Sequence, residues 1–582
     1  MIQLPATDKE LKPRESRSGD FDGSPLGDMT RRVRSNSLLA ATVSRPARMA
    51  SALIAALVIV SHSPLTNVQA ADGHLDSTFG NGGLVKTDFS GSDDSIGAIV
   101  MQPDGKIVVA GATSTIPSSI SAVVDSFALA RYNSDGSLDQ SFGTGGRVIT
   151  NTRGLEVATS LALLPDGKIL AGGTAFGREF AMARYNSDGG LDASFGRNGV
   201  VVTELGSAEI AWGIAWSMAV QPDGKILLGG SAGRRNIQGN IQASSYAVVR
   251  YEENGGIDSS FGNQGKAIVE FSSGFDFAYA IALQADGKIV LAGRADLNSS
   301  VSPFAITRFN GDGSLDSDFG SGGKVTTNFF GNRNQANAIA LQSDGKIVVA
   351  GWADRGDARP EVLAIARYNS NGGLDATFGS RGMLTNDFFG RGGEARAIKL
   401  QRDGKIVVAG LAGFLRSATV RYNGDGRLDS SFGDGGATIT DFGDVADAAN
   451  AIAFQQDGKI VVAGSMEDET RHSDFAIARY NNSTTFEFCV QDDSSGDVLE
   501  FNSTNGDYSF TSCSTGFTLY GTGTTKVKGC KTVLNHFGPD RNVSVVVKTC
   551  RNKANASVEA LSAGRSFSTF DSNLRDDNCA CR

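Results

Sequence analysis

The chain has 582 residues, a length that predicts several domains or one large repeat array with an attachment. Hydrophobic residues make up 40% and charged residues 20%, so a packed core is expected and global disorder is disfavoured. The 73 glycines follow no Gly-X-Y period, which indicates many tight turns rather than collagen. A net charge of −9 argues against nucleic-acid binding, because phosphate contacts need a basic surface.

The N-terminal region has the pattern of a secretory signal peptide. An apolar run from Ala50 to Val60 is followed by Val68-Gln69-Ala70. The run has 11 residues (60 − 50 + 1), whereas a membrane span needs about 20. We expect cleavage near Ala70, no membrane span, and a mature protein that is secreted or held at the cell surface or in the periplasm. Residues 1–71 then comprise an N-terminal extension and the signal peptide. The segment that begins at Met29 is a more typical basic start of a signal peptide than residues 1–28, so we expect the true start of the protein at Met29.

Three signatures recur seven times each, in fixed order, between residues 72 and 482. Asp-Gly-Lys-Ile begins at Asp104, Asp166, Asp223, Asp286, Asp344, Asp403 and Asp457. An arginine followed by an aromatic residue recurs at Arg131, Arg184, Arg250, Arg308, Arg367, Arg421 and Arg479. The third signature, (Leu/Ile)-Asp-x-x-Phe-Gly, contains Phe79, Phe142, Phe195, Phe261, Phe319, Phe378 and Phe432. The mean period is (457 − 104)/6, about 59 residues, which indicates a repeat architecture.

Each repeat unit is predicted to contain four strands. In the second full copy these are Gly146–Thr150, Ser160–Leu164, Lys168–Gly173 and Glu179–Asn186, separated by Gly-rich turns. The strand after Asp-Gly-Lys, for example 107–110, is apolar on both faces, which is typical of a strand buried between stacked sheets. Seven such units predict an all-β, seven-bladed β-propeller with four-stranded blades. An open β-solenoid is the alternative.

The order of the signatures predicts how the ring closes. The array opens with a strand near Leu84–Phe89 and ends at Phe475–Asn481, with no outer strand following. Pairing Leu84–Phe89 with Phe475–Tyr480 would complete the last blade and leave no open sheet edge.

The repeated residues resemble a known family. The run Leu-Asp-x-x-Phe-Gly-x-x-Gly, followed by Asp-Gly-Lys-Ile-Val-Val-Ala-Gly and Phe-Ala-(Leu/Ile)-Ala-Arg-Tyr-Asn, is similar to the delta-60 repeat of bacterial secreted proteins. The resemblance covers residues 74–481. It implies a seven-bladed propeller outside the cytoplasm, and it implies no established activity.

The polar residues of the signatures recur in every unit and are therefore interpreted as structural. We expect Arg131 to form a charge-assisted bond to Asp139, and the recurring Phe to fill a gap between blades. The turn Asn133–Asp139 is similar to the start of a calcium loop, but its first positions vary among the copies and favour an Asx turn. No metal, cofactor or catalytic residue is predicted.

Loop lengths divide the propeller into two unlike faces. The Asp-Gly-Lys and Asn-x-Asp-Gly turns are short and lie on one face, which we call the uniform face. The opposite, variable-loop face carries the long loops Ala112–Ser126, Ser231–Ser245 and Trp352–Leu363 and the Glu204–Ser217 insertion. All three tryptophans are predicted on that face, with Trp212 and Trp216 around one loop and Trp352 at the start of another.

These observations favour a non-enzymatic, monomeric propeller that binds a protein or glycan partner through the variable-loop face. Loops on rigid scaffolds often carry binding, so the candidate ligand-binding residues are Trp212, Trp216 and Trp352, although the same tryptophans could cap strand ends. The alternatives are a polysaccharide hydrolase, which needs a carboxylate pair from different blades, and a purely structural surface protein.

Residues 483–582 differ from the repeats and contain every cysteine of the chain. Six cysteines after a secretion signal predict disulfides, with fifteen possible connectivities. Alternating stretches at Thr515–Leu519 and Val543–Lys548 favour a small β-domain. The predicted disulfide residues are Cys489, Cys513, Cys530, Cys550, Cys579 and Cys581.

Overall fold

The computed structural model describes residues 72–482, apart from the gaps 90–92, 116–123, 153, 206–209, 236–240, 298–299, 358, 389, 414–415, 443–444 and 470–471. Beyond residue 483 it describes only the backbone of separate strands. The predicted signal peptide lies outside the described residues. Within the described part, no helix is long and apolar enough to cross a membrane.

Seven antiparallel sheets of four strands each form the blades of a β-propeller, as the repeat pattern predicts. Six blades consist of four consecutive strands, which run in order from the centre of the ring outward. They are β2 (Asp94–Met101), β3 (Ile107–Thr115), β4 (Val124–Tyr132), β5 (Arg147–Thr150); β6 (Leu155–Leu163), β7 (Ile169–Ala175), β8 (Glu179–Tyr185), β9 (Val200–Thr203); β10 (Ile210–Val220), β11 (Ile226–Arg235), β12 (Ile241–Tyr251), β13 (Lys266–Val269); β14 (Phe277–Leu283), β15 (Ile289–Arg294), β16 (Phe304–Phe309), β17 (Lys324–Thr327); β18 (Asn334–Leu341), β19 (Ile347–Ala353), β20 (Val362–Tyr368), β21 (Met383–Asn386); and β22 (Gly393–Leu400), β23 (Ile406–Ala412), β24 (Arg416–Tyr422), β25 (Ala437–Thr440).

The seventh blade joins the two ends of the propeller. It contains β26 (Ala446–Phe454), β27 (Ile460–Glu467) and β28 (Ser473–Tyr480), and its outer strand is β1 (Leu84–Thr87). β1 runs antiparallel to β28, with Leu84 opposite Ala478 and Thr87 opposite Phe475. The predicted closure is therefore confirmed, and the ring has no unpaired outer strand at its seam.

The apolar cores lie between neighbouring blades, and each second strand contributes to two of them. In β3, Ile107 and Val109 pack in the core shared with the seventh blade, whereas Val108 and Ala110 pack against the second blade. All four side chains are fully buried. Alternate side chains of a strand point to opposite faces, so a strand that faces a blade on each side is apolar throughout. The prediction of a doubly buried strand is confirmed.

A tyrosine–threonine hydrogen bond also joins most neighbouring blades. Tyr132 in β4 donates to the hydroxyl of Thr87 in the preceding blade at 2.8 Å, and both groups are buried. The same contact joins Tyr185 to Thr150 at 2.9 Å. It recurs at Tyr251–Thr203, Tyr368–Thr327 and Tyr480–Thr440, and at Tyr422 an asparagine amide, that of Asn386, takes the place of the threonine. Between the third and fourth blades, where the repeat has Phe309 instead of tyrosine, the partner position is Val269.

Beyond residue 483 the described backbone contains eight further strands. β29 pairs with β35 in parallel and with β36 antiparallel, and β33 and β34 form an antiparallel hairpin. The predicted disulfides involve side chains outside the described part, so they remain a prediction. The strands are β29 (Thr484–Gln491), β30 (Val498–Glu500), β31 (Asn502–Thr504), β32 (Asp507–Ser509), β33 (Thr524–Lys528), β34 (Lys531–Asn535), β35 (Val543–Cys550) and β36 (Lys553–Ser557).

Candidate functional site

The three repeated signatures meet in each blade on the uniform face. In the first blade, Nε of Arg131 donates to Oδ2 of Asp139 at 2.8 Å, and Nζ of Lys106 lies 3.2 Å from the same oxygen. The guanidinium carbon of Arg131 lies 4.5 Å from the centroid of the buried Phe142 ring. Phe142 itself packs with residues of the next blade. The predicted structural roles of Arg131, Asp139 and the recurring phenylalanine are confirmed.

The charge on Asp139 is stabilised by its neighbours. Burial opposes ionisation of this carboxyl, but hydrogen bonds from Ser141 and the cations Lys106 and Arg131 outweigh burial and hold its pKa well below the ordinary value. The same arrangement lowers the pKa of Asp192 in the second blade. Because the cluster recurs in every blade, it stabilises the fold and does not distinguish one place on the ring as a site.

The turn that is similar to a calcium loop has the geometry of an Asx turn. Oδ1 of Asp135 accepts hydrogen bonds from the Ser137 amide at 2.9 Å and from its hydroxyl at 2.7 Å. The carboxylate thus satisfies its own backbone. This agrees with the interpretation of the turn as structural.

A separate group of three carboxylates lies near the seam of the ring. Oxygens of Asp88, Asp94 and Asp474 lie within 4.8 Å of one another. Asp94 accepts a hydrogen bond from the Phe89 amide at 2.8 Å, and Lys86 pairs with Asp474 at 2.9 Å. Burial, together with the charges of Asp88 and Asp474, raises the pKa of Asp94 to about 6. Asp94 therefore links the backbone of Phe89 to the start of the first blade, and the Lys86 ammonium already balances part of the charge.

The repeats differ from one another in the central channel, which the inner strands of the seven blades line. Every inner strand has a β-bulge at the same position, seven residues before the aspartate of Asp-Gly-Lys (104 − 97 = 7). All seven bulged residues line one cavity, and we call them the bulge ring. In order around the channel they are Gly97, Thr159, Trp216, Tyr279, Asn337, Arg396 and Asn450.

A glycine in the neighbouring strand makes room for each bulge. A Cβ added to Gly111 of β3 would overlap the carbonyl oxygen of Ser95, and one added to Gly230 of β11 would overlap that of Ile214. The final glycine of the Val-Val-Ala-Gly run and its equivalents has this contact in every blade. A glycine inside a strand is typical of a bulge or a close backbone approach. The repeated glycine is therefore the sequence feature that corresponds to the bulge ring.

Blades three and four form an aromatic wall on one side of the channel, made of Trp212, Trp216, Phe275, Phe277 and Tyr279. The ring centroids of Trp216 and Tyr279 are 5.5 Å apart, and those of Phe277 and Tyr279 are 6.2 Å apart at 20°. Trp212 stacks on Phe277 at 6.4 Å, and Phe275 continues the row at the same distance. Phe275 precedes β14, which begins on the variable-loop face, so the wall extends from that face into the channel.

Blades five to seven complete the ring with polar groups. Arg396 donates from Nε to the carboxylate of Glu394 and from Nη1 to Oδ1 of Asn450 at 2.9 Å. The Asn450 amide in turn donates to the Ile96 carbonyl of the first blade at 2.8 Å. These bonds hold the guanidinium against the channel wall.

The fifth blade extends this polar wall. Gln335 donates to Oδ1 of Asn337 at 2.8 Å, and Asn337 donates to the carbonyl of Ala395 at 2.8 Å. The channel cavity has a volume of about 580 Å³. Beyond the bulge ring it is bounded by one aliphatic side chain from each blade: Ile99, Leu161, Met218, Ile281, Ile339, Ile398 and Ile452. The cavity therefore has an aromatic side, a polar side and a ring of apolar side chains.

Of the three tryptophans predicted to bind a ligand, only Trp216 is among the described residues that line the cavity, and Trp212 is linked to it through Phe277 and Tyr279 of the aromatic wall. Trp212 and Trp216 lie in the inner strand β10, and not around a loop as the sequence suggested. Trp352 lies in the second strand of the fifth blade, opposite Gln335, and is not among the described residues that line the cavity. Sequence reasoning missed Tyr279, Asn337 and Arg396. Their shared position seven residues before Asp-Gly-Lys, where the copies differ, was the available signal.

Comparison with known families agrees with this architecture. A family model described as "Domain of unknown function (DUF5122) beta-propeller" matches seven segments of the chain. The repeats belong to a β-propeller family. The matched segments are 102–142, 164–195, 221–261, 284–319, 342–378, 401–432 and 455–485. No curated protein matches the chain by sequence.

Several solved structures are similar in fold. A protein of unknown function from Dyadobacter fermentans is 10% identical, with 71% of this chain and 97% of that chain covered and a TM-score of 0.35. A virginiamycin B lyase from Staphylococcus aureus is 12% identical, with coverage of 68% and 98% and a TM-score of 0.37. An α-L-arabinofuranosidase from Fusarium graminearum is 10% identical, with coverage of 55% and 92% and a TM-score of 0.37. At these values the similarities carry no argument about function.

Proposed function

We propose that this protein is a secreted, non-enzymatic propeller that binds a glycan at the variable-loop mouth of its central channel. The observation that carries the proposal is the aromatic wall on blades three and four, which continues into the channel opposite hydrogen-bonding side chains. Sugar rings present apolar faces that pack on aromatic rings, and their hydroxyls pair with amides, carboxylates and guanidinium groups.

The size of the cavity favours a glycan over a folded protein partner. Its volume, about 580 Å³, falls in the range of small-molecule sites, roughly 300–1,000 Å³. A few sugar units fit such a space, whereas a protein surface would contact only its rim. Phe275, at the variable-loop end of the aromatic wall, is 38% exposed and therefore accessible to a longer glycan chain.

The acidic groups of the channel favour binding over hydrolysis. Glycoside hydrolysis ordinarily uses two carboxyl groups on either side of the scissile bond, about 5–9.5 Å apart. Among the described residues that line the cavity, Glu394 is the only carboxylate, and it accepts a hydrogen bond from Arg396. A lone carboxylate held by an arginine suits recognition of a hydroxyl.

The test is a binding screen of the full chain against soluble polysaccharides, in which retention and released reducing ends are both measured. We expect retention without released ends. Trp216→Ala and Tyr279→Ala should each weaken binding about tenfold, since the stacking of one ring contributes roughly 1.5 kcal/mol. Trp352→Ala is the matched control, because Trp352 lies outside the cavity lining, and it should bind as the wild type does.

Two results would contradict the proposal. Release of reducing ends that is abolished by Glu394→Gln would indicate a hydrolase. Equal retention by the folded wild type, Trp216→Ala and Tyr279→Ala proteins would place binding away from the channel.

A further inference from the structure

One position of the channel breaks the pattern of the repeats. Four residues before each Asp-Gly-Lys aspartate (403 − 399 = 4), five of the seven inner strands have alanine and one has valine, whereas the sixth blade has Lys399. The equivalent residues are Val100, Ala162, Ala219, Ala282, Ala340, Lys399 and Ala453. A single long cation at a position that is otherwise small and apolar is not required by the propeller scaffold.

Lys399 lines the channel cavity together with Arg396, three residues earlier in β22. Within the described part of the chain, no carboxylate lies within ion-pair distance of its ammonium, and Lys399 makes no side-chain hydrogen bond. The channel walls partly desolvate the ammonium, and this lowers the pKa of Lys399. The side chain is nevertheless exposed to the solvent of the cavity, so its ammonium is accessible to a ligand.

The cavity is also positive within an acidic protein. Its charged side chains in the described structure are Glu394, Arg396 and Lys399, which is two cations against one carboxylate. The whole chain has a net charge of −9. Glu394 already balances Arg396 through their hydrogen bond, so the excess positive charge belongs to Lys399. A cleft of one sign with low-dielectric walls concentrates ligands of the opposite sign.

We propose that the glycan held in this channel is acidic, and that Lys399 binds its carboxylate or sulfate group while the aromatic wall packs on the sugar ring. This inference rests on the proposed function and specifies its substrate class. Arg396, positioned by Glu394 and Asn450, supplies a second cationic group within the same cavity.

The experiment measures binding of the full chain to three oligosaccharides of equal length, using calorimetry and tryptophan fluorescence. The probes are a galacturonic acid oligosaccharide, a sulfated galactose oligosaccharide and a neutral galactose oligosaccharide. We expect at least one acidic probe to bind about tenfold more tightly than the neutral one, as a charge-assisted bond would provide. The two acidic arms distinguish carboxylate from sulfate as the recognised group.

Lys399→Ala is the decisive variant, since five other blades fold with alanine at this position. It should lose the preference for the acidic probe and keep the melting temperature of the wild type, whereas Lys399→Arg should keep the preference. Equal affinity of the wild type for acidic and neutral probes would overturn this inference and leave the proposed function intact. Retention of the acidic preference in Lys399→Ala would remove the role of Lys399. Failure of all three probes to bind would count against both proposals.

Discussion

Arg479 and Asp76 form the closing copy of the ion pair that recurs in every blade, with Nη2 of Arg479 2.8 Å from Oδ2 of Asp76. Elsewhere the pair joins residues eight positions apart, as in Arg184 and Asp192. At the seam it joins the two ends of the propeller. Lys459 also lies 2.8 Å from the same Asp76 oxygen. The seam is therefore held by buried charges as well as by the backbone pairing of β1 with β28.

The first prediction concerns this seam. Asp76→Asn and Asp192→Asn remove the same ion pair, and each should destabilise the protein by about 3–5 kcal/mol, because a buried arginine loses its counter-charge. Only Asp76→Asn also loosens β1. We expect the N-terminal strand of Asp76→Asn to become sensitive to limited proteolysis, while that of the Asp192→Asn control stays resistant. Each protein is digested at the same number of degrees below its own melting temperature, so that the difference in global stability does not affect the comparison. Equal sensitivity of the two variants would show that the pair does not hold the seam.

The second prediction is a loss of stability in acid. The hydrogen-bonded and paired aspartates of the seven blades have lowered pKa values, about 2 for Asp76 and Asp375, against an ordinary value of 3.8. As the pH falls below about 4, the unfolded chain binds protons before the folded one. The stabilisation that these aspartates contribute is therefore complete above about pH 4 and is lost between about pH 4 and pH 2. Melting temperatures measured from pH 2 to pH 7 check this. Asp192→Asn should show a shallower decrease, and an unchanged slope would contradict the assignment.

The third prediction concerns the blade interface that lacks the tyrosine hydrogen bond. Phe309→Tyr alone should destabilise the protein by about 1–3 kcal/mol, because it buries a hydroxyl opposite Val269 without a partner. Adding Val269→Thr should restore most of that loss by creating the same bond that joins Tyr185 to Thr150. A double-mutant cycle by thermal unfolding measures the coupling. Additive effects of the two substitutions would show that the tyrosine–threonine hydrogen bond between blades does not contribute to the free energy of unfolding.

The fourth prediction concerns the glycines that accommodate the bulges. Gly230→Ala places a methyl group against the Ile214 carbonyl, so we expect a large decrease in melting temperature and a shift in the fluorescence of Trp216, whose bulge lies next to it. Gly190→Ser is the control. The φ of Gly190 is not left-handed, and the equivalent turn position in the first blade is already a serine, Ser137. A Gly230→Ala protein with normal stability and emission would mean that the bulge does not depend on the glycine.

Much of the fold could be predicted because the same sequence pattern recurs seven times in the chain. The period, the doubly apolar strand at Ile107 and the Arg131–Asp139 bond each depend on neighbours close in sequence or on the repeat itself. The closure of the ring was also predictable, because the last repeat lacks an outer strand and the first strand of the propeller has no blade of its own. The prediction fails where a copy departs from the pattern: the sequence favours an insertion and a loop around Trp212 and Trp216, although both residues lie in a long inner strand.

The sequence by itself determined the seven-bladed ring, its seam and its buried charges, since these follow from short-range motifs repeated at a constant spacing. Only the tertiary structure decided which side chains share the channel. Trp216 meets Tyr279, and Arg396 meets Asn450, because a bulge in each inner strand turns one residue toward the axis and ring closure then places residues of different blades side by side. Neither the direction of a bulged side chain nor its neighbour across a blade boundary is encoded in local periodicity.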